Sequence, residues 1–196
     1  MRSPQTVRLA NATYKVEFTI FGKEAHAMAR AKWLPREFME HILAACTLEN
    51  EEALRVSMDY GARIGDVLAM PTKAARGGLW SYREEKTHKR RRVRLSDAHR
   101  RVLLSFAGRV YCFEHRLDWT RHRTRQAVYK DLKRAAAAFR VEGISPHSER
   151  KIYSVEKYKA SGGNMKKVQQ LLNHSDEAVT MLYALADQIA AARSKR

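Results

Sequence analysis

The sequence predicts a mainly α-helical fold with a small antiparallel β-sheet, an α+β architecture, and three observations predict it. Apolar residues recur at the three-and-four spacing of amphipathic helices, as in Leu34, Phe38, Ile42 and Ala45. The run LWSYREEKTHKRRRVRL at 79–95 has two arms around a polar turn, Trp80 and Tyr82 in one and Val93 and Leu95 in the other, the pattern of a β-hairpin. Glycine, proline and capping residues punctuate the rest at helix length, with no internal repeat or low-complexity tract.

Taken in order, residues 13–21 (TYKVEFTIF) alternate, with Tyr14, Val16, Phe18 and Ile20 on one side, and predict a half-buried strand that Gly22 ends. EAHAMARAKWL follows without a clear period. Pro35 stands in the first turn of a helix that runs to Cys46. Asn50 is expected to cap the next helix, EEALRVSMDY, and Gly61 to end it, before a short helical stretch, ARIGDVLAM. Pro71 and Gly77-Gly78 predict a loop ahead of the hairpin. Ser96-Asp97 open a helix that Gly108 closes, and a long basic helix is expected from about Thr124 to Arg140. Beyond GISP the pattern predicts a helix from about His147 to Ala160, a short helix capped by Asn164, and a last helix opened by Ser175, Asp176 and Glu177.

Length and composition limit the functions available. A chain of 196 residues is sized for one well-packed domain, and 44% hydrophobic with 30% charged residues is the composition of a soluble globular protein. The formal net charge of +17 is the unusual property, and it points to a polyanionic partner, nucleic acid foremost. No stretch approaches the roughly 18 apolar residues of a spanning helix, and the N-terminal residues lack the apolar core of a secretory signal. Cys46 and Cys112 lie far apart without metal-type spacing, so they are expected to be reduced thiols in a cytoplasmic, nucleoid-associated protein, with no metal bound. The charge is clustered: residues 83–101 carry nine Lys/Arg against three acids, and residues 114–140 carry eight against three. With Trp80, Tyr82, Trp119 and Tyr129 among them, these clusters predict a surface that tracks DNA phosphates through Arg83, Lys89, Arg90, Arg91, Arg92, Arg121, Arg123 and Arg125.

Breaking a phosphodiester without a metal requires fixed cations on the non-bridging oxygens, a nucleophile in line with the leaving oxygen, and a proton donor for it. Arginine meets the first need best, because its planar fork binds two oxygens and keeps its proton. Arg63 follows Gly61 in YGARIGDVL, and Lys86 lies at the hairpin tip in KTHK. His147 and Arg150 in PHSER share a helix face by their i, i+3 spacing. His174 precedes the last helix, and Tyr183 lies nine residues on, beside Val179, Leu182 and Ala186. Any one of these taken alone reads first as a surface arginine, a helix cap or a core residue.

Together, GARIGD at 61–66, Lys86-Thr87, HSER at 147–150, LLNH at 171–174 and Tyr183 resemble the signature of the tyrosine recombinases, the phage integrase family, in both order and spacing. The resemblance spans residues 34–196 and implies that family's catalytic domain. It implies that Tyr183 attacks a DNA phosphate to give a 3′-phosphotyrosyl link while a 5′-hydroxyl leaves. Arg63 and Arg150 would clamp the non-bridging oxygens, and Lys86 would protonate the leaving oxygen. His147 would act as base or orienting partner, His174 would steady the transition state, and Asp66 would support the pocket from behind. It further implies site-specific recombination or integration of double-stranded DNA by a homo-oligomer, a tetramer, without ATP, metal or other cofactor. The alternatives are a type IB topoisomerase-like activity and a non-catalytic DNA-binding relative that regulates a full-length recombinase.

Three departures from the family pattern stand out. Asn173 replaces the usual glycine before His174, a mild change because asparagine tolerates the left-handed conformation. Ser148-Glu149 is an unusual interior for the His-x-x-Arg box and places an acid beside the cationic pocket. Residues 1–33 are expected to form a short appendage, a strand plus an irregular segment, rather than the helical domain with which the family completes its clamp on DNA. The segment after Tyr183 is expected to dock on a neighbouring protomer.

Overall fold

The structure is a computed structural model that describes residues 5–9, 12–16 and 33–172. The chain divides into two units, residues 1–30 and 31–196. In the first, β1 (Gln5–Leu9) pairs antiparallel with β2 (Ala12–Val16), with Gln5 opposite Val16 and Leu9 opposite Ala12. The expected strand at 13–21 is thus seen over its first residues, paired with a strand that periodicity did not identify. Its remainder, and the helix expected after Ser175, lie outside the described residues.

The second unit is mostly helical. α1 (Arg36–Leu43), α2 (Leu48–Tyr60), α3 (Ile64–Leu68) and α4 (Thr72–Gly77) lead into the hairpin β3 (Leu79–Arg83) and β4 (Arg90–Arg94). Then come α5 (Asp97–Phe106), a short hairpin of β5 (Glu114–His115) and β6 (Asp118–His122), α6 (Arg125–Ala138), α7 (His147–Ala160) and α8 (Met165–Leu172). α2 is the hub, packing against α1, α3, α5, α6 and α7. Its Leu54, Val56 and Met58 join Ile42 and Leu43 of α1, Leu132 of α6 and Ile152 of α7 among the fully or almost fully buried side chains.

Local signals explain most of the boundaries. The Ser96 hydroxyl accepts from the His99 N–H at 3.2 Å, and the Thr124 hydroxyl from the Ala127 N–H at 3.2 Å. Asn164 Oδ1 accepts from the Lys167 N–H at 3.1 Å, the expected cap on α8. Two boundaries depart from expectation. Asn50 lies inside α2, whose N-cap position is Thr47, and its side chain instead bridges to α6 by donating to Asp131 at 2.8 Å. The segment expected as a loop at Pro71–Gly78 contains α4, because Pro71 suits a helix start and Gly78, at φ 70°, ends it in the left-handed conformation. The β5–β6 hairpin was not foreseen, since two residues are too short a strand to show alternation.

A partly buried charge network fastens α2 to its neighbours. The His99 ring donates to Glu52 at 2.6 Å and to Asp59 at 2.9 Å. Burial disfavours the imidazolium, but the bonds to Asp59 and Glu52 outweigh it and push His99 up to about 9. Asp59 also accepts from Arg36 at 2.6 Å, and Arg36 grips Glu156 of α7 with Nε at 2.6 Å and Nη2 at 2.8 Å.

Gly61 is the one glycine on which the site's geometry turns. At φ 62° it ends α2, and a Cβ there would collide with the Tyr153 ring of α7. Gly61→Ala combines a left-handed backbone with overlap in a packed core, so it is expected to cost about 2–4 kcal/mol. Thermal unfolding measures it, and a loss below about 1 kcal/mol would mean that α7 shifts freely away.

Candidate functional site

The hairpin sorts its side chains by strand alternation. Trp80 lies opposite Val93 and Tyr82 opposite Arg91, and these four face inward, with the Trp80 and Tyr82 rings stacked at 4.0 Å. The outer face carries exposed Arg83, Arg90, Arg92 and Arg94, with exposed Lys89 in the turn. Arg121 is also exposed, on β6, and Arg125 is two-thirds exposed at the start of α6, 3.9 Å from Glu85.

Two of the arginines expected on the DNA face are turned inward. Arg91 donates to the Tyr60 carbonyl at 2.5 Å and the Gly61 carbonyl at 3.0 Å, and Arg123 donates to Asn50 Oδ1 at 3.1 Å. Arg91 thereby meets two of the carbonyls that α2 leaves open at its C-terminus.

Arg63 enters this region from the N-cap position of α3, two residues past Gly61, with its side chain 13% exposed. Its Nη1 donates to Glu84 at 2.9 Å. Glu84, fully buried just beyond β3, also accepts from the Thr87 hydroxyl at 2.5 Å and lies 3.6 Å from Arg91 Nη1. Burial opposes its charge, but the bonds from Thr87 and Arg63 prevail and hold the carboxyl below its usual value. Asp66, on the first turn of α3, accepts from the Glu85 N–H at 3.0 Å. Burial raises the Asp66 carboxyl, and the nearby Glu84 charge adds to the effect. Lys86 is exposed in the turn between these contacts.

Arg150 reaches the same region from α7, where its side chain is 3% exposed. Burial pushes the Tyr82 hydroxyl up to about 12 and also raises Tyr153, and the charges of both Arg91 and Arg150 counter the rise at each. Arg63 and Arg91 thus meet at Glu84, and Arg91 and Arg150 both bear on Tyr82 and Tyr153. His147, the first residue of α7, is exposed at the helix's positive end, and its N–H donates to Ser145 Oγ at 3.3 Å. His174 and Tyr183 lie outside the described residues.

Glu149 is also fully buried, and neither of its oxygens has a hydrogen-bond partner among the described residues. Burial pushes its carboxyl up to about 8, countered only by its own backbone N–H. Both cysteines are free thiols, and burial pushes Cys46 up to about 12 and Cys112 to about 11. Among the described residues no group of three or more His, Cys, Asp or Glu side chains is arranged to hold a metal ion, and no helix is long and apolar enough to cross a membrane. Sequence reasoning singled out Arg63, Asp66, Lys86, His147 and Arg150 but missed Glu84, whose charge in a hairpin arm looked like one more solvated residue.

Comparison with known proteins assigns this arrangement to a family. The chain is 28% identical over 131 residues to a probable integrase/recombinase, YoeC, of Bacillus subtilis, covering 64% of this chain and 71% of that one. It is 30% identical over 133 residues to the tyrosine recombinase XerD of Rhizobium meliloti, covering 63% of this chain but only 42% of the relative. Among solved structures, the catalytic domain of bacteriophage HP1 integrase matches with TM-score 0.56 at 21% identity, over 79% of this chain and 87% of that one. A lambda integrase dimer bound to a COC′ core site matches with TM-score 0.61 at 18% identity, over 76% and 59% of the two chains. The fold is that of a tyrosine recombinase catalytic domain. With the phage integrase family pattern matching residues 32–188, the chain belongs to the phage integrase family.

Proposed function

We propose that this chain is a site-specific DNA strand transferase that cuts and rejoins double-stranded DNA through a phosphotyrosyl intermediate. The observation that supports the reading best is that Arg63, at the start of α3, and Arg91, on β4, meet at Glu84 beside the turn that holds Lys86, while Arg150 is buried on α7 and bears with Arg91 on Tyr82. The guanidinium forks of Arg63 and Arg150 suit the two non-bridging oxygens of a phosphodiester, and neither loses its charge at neutral pH. The outer hairpin face, with Arg83, Arg90 and Arg92, supplies cations for the flanking backbone, as do Arg121 and Arg125.

In this reaction the Tyr183 oxygen forms a bond to phosphorus as the bond to the 5′ oxygen breaks. The tyrosine proton departs toward His147 or solvent, and the Lys86 ammonium gives a proton to the departing 5′ oxygen. A free phenol has a pKa of about 10, so the arginine field is what makes Tyr183 a nucleophile near pH 7. His174 steadies the charge on the phosphate, and Asp66 holds the lysine turn through the Glu85 N–H. A 5′-hydroxyl attacking the phosphotyrosine reverses every step, so the bond energy is conserved and neither ATP nor a metal is required. Exchange between two duplexes calls for several protomers on DNA, and a tetramer of this chain is the assembly proposed.

The test is a set of nicked suicide duplexes tiled across the DNA flanking the chain's own gene. Wild-type protein is expected to form a covalent protein–DNA adduct on one of them, and Tyr183→Phe to form none. An adduct that survives Tyr183→Phe assigns the nucleophile elsewhere, and binding without any adduct favours the non-catalytic reading.

A further inference from the structure

We infer that Glu84 is the positioning residue that sets the Lys86 turn against Arg63. The inference rests on the strand-transfer reading and adds to it a residue that no motif marks. Glu84 is fully buried, yet it sits next but one to the exposed Lys86. Its carboxylate ties the two halves of the pocket together. One oxygen takes both the Arg63 Nη1 bond at 2.9 Å and the Thr87 hydroxyl bond at 2.5 Å, while the other faces Arg91 Nη1 at 3.6 Å. Its backbone also closes the turn, since the Glu84 N–H donates to the Lys89 carbonyl at 3.0 Å and its carbonyl accepts from the His88 N–H at 2.9 Å.

Arg63 is the anchor of this joint and the turn is the part that is held. The Arg63 backbone is fixed between Gly61, packed on Tyr153, and the start of α3. The turn has no helix or strand of its own, and His88 adopts a left-handed φ of 55° within it. A long lysine side chain on such a turn carries much rotational freedom, so its aim depends on a fixed base. Asp66 supplies a second tie through the Glu85 N–H at 3.0 Å, but that bond reaches backbone only. Glu84 joins a phosphate-clamp candidate, Arg63, to Thr87, the residue adjacent to Lys86. An apolar residue there would leave the Arg63 and Arg91 charges partly buried without their shared carboxylate.

Chemistry can separate aiming the proton donor from merely holding the fold. In an ordinary substrate the 5′ oxygen needs the Lys86 proton to leave. With sulfur at the bridging position the thiolate leaves unprotonated, so a misaimed Lys86 ceases to matter. Wild type, Glu84→Gln and Glu84→Asp are compared in single-turnover adduct formation on both substrates at the site wild type cleaves. Glu84→Gln is expected to slow the ordinary substrate by about 100-fold, the scale of a misplacement of about 1 Å. It should stay within a few-fold of wild type on the sulfur substrate, with Glu84→Asp intermediate on the ordinary one. An equal loss on both substrates overturns the inference, because it would place the defect on the arginine clamp or the fold.

Amide hydrogen exchange without DNA supplies a readout independent of cleavage. Residues 85–89 are expected to exchange at least ten-fold faster in Glu84→Gln, while the α2 core amides are unchanged. Unaltered exchange in the turn overturns the inference by itself. Failure of wild type to form an adduct on any substrate overturns the strand-transfer reading, and the catalytic part of this inference with it.

Discussion

Arg150→Lys is expected to slow covalent-adduct formation by about 10²–10³-fold, the usual effect of removing one preorganised donor from a developing oxyanion. DNA affinity should fall far less. Arg150 is buried on the first turns of α7, where its charge is felt at both Tyr82 and Tyr153. Lysine keeps the positive charge but replaces a planar fork with a single point donor, so it cannot bridge two oxygens. On the proposed strand-transfer reading the loss is therefore expected in the transition state, where both non-bridging oxygens would be gripped, rather than in the encounter with duplex DNA. That encounter depends on many exposed cations, and removing one changes the salt dependence of binding by about one phosphate's worth. Single-turnover rates and binding constants over a salt series measure the two separately. Parallel losses in rate and affinity would show Arg150 to be an ordinary phosphate contact.

Glu149→Leu is expected to stabilise the protein, by about 3 kcal/mol at pH 7 and by more near pH 8. The carboxyl ionises near 4.5 when exposed but is pushed up to about 8 by burial in the fold. Between those values the native state holds a proton that the unfolded state has lost. Stability therefore falls as pH rises, by about 1.4 kcal/mol per unit, until Glu149 ionises in place. Leucine has no such titration, and it fills a site where neither oxygen finds a partner among the described residues. The difference between variant and wild type should thus be smallest below pH 4.5, grow with pH, and level off above 8. His99, at about 9, also makes the wild type lose stability as pH rises, but it is present in both proteins and cancels. Denaturant unfolding at pH 5, 7 and 8.5 tests this, and a pH-independent difference would mean that another group neutralises Glu149. Its place next to Arg150 in sequence makes it a residue to assay for activity as well as stability.

Much of this protein was legible from local chemistry. Helix limits followed where a single residue decides them, as at Ser96, Thr124 and Asn164, whose side chains cap as their types prescribe. The hairpin at 79–95 was legible because its inner positions carry aromatic or branched residues while arginines fill the outer ones. α4 was missed because proline and glycine mark helix ends as readily as loops, and six residues are too few for a period. β5 was too short to alternate at all.

The sequence by itself determined the candidate catalytic residue types, their order, the basic character and the hairpin that carries Lys86, because these depend on side-chain chemistry and short-range spacing. Only the tertiary structure decided which charges face inward. Arg91, Arg92 and Arg94 read alike in sequence, yet register sends Arg91 onto the end of α2 and leaves the others exposed. Glu84 and Glu85 are likewise adjacent acids, one buried between Arg63 and Thr87 and the other exposed. A charge is worth burying only where distant segments bring its counter-charges to it, and no local pattern records that meeting.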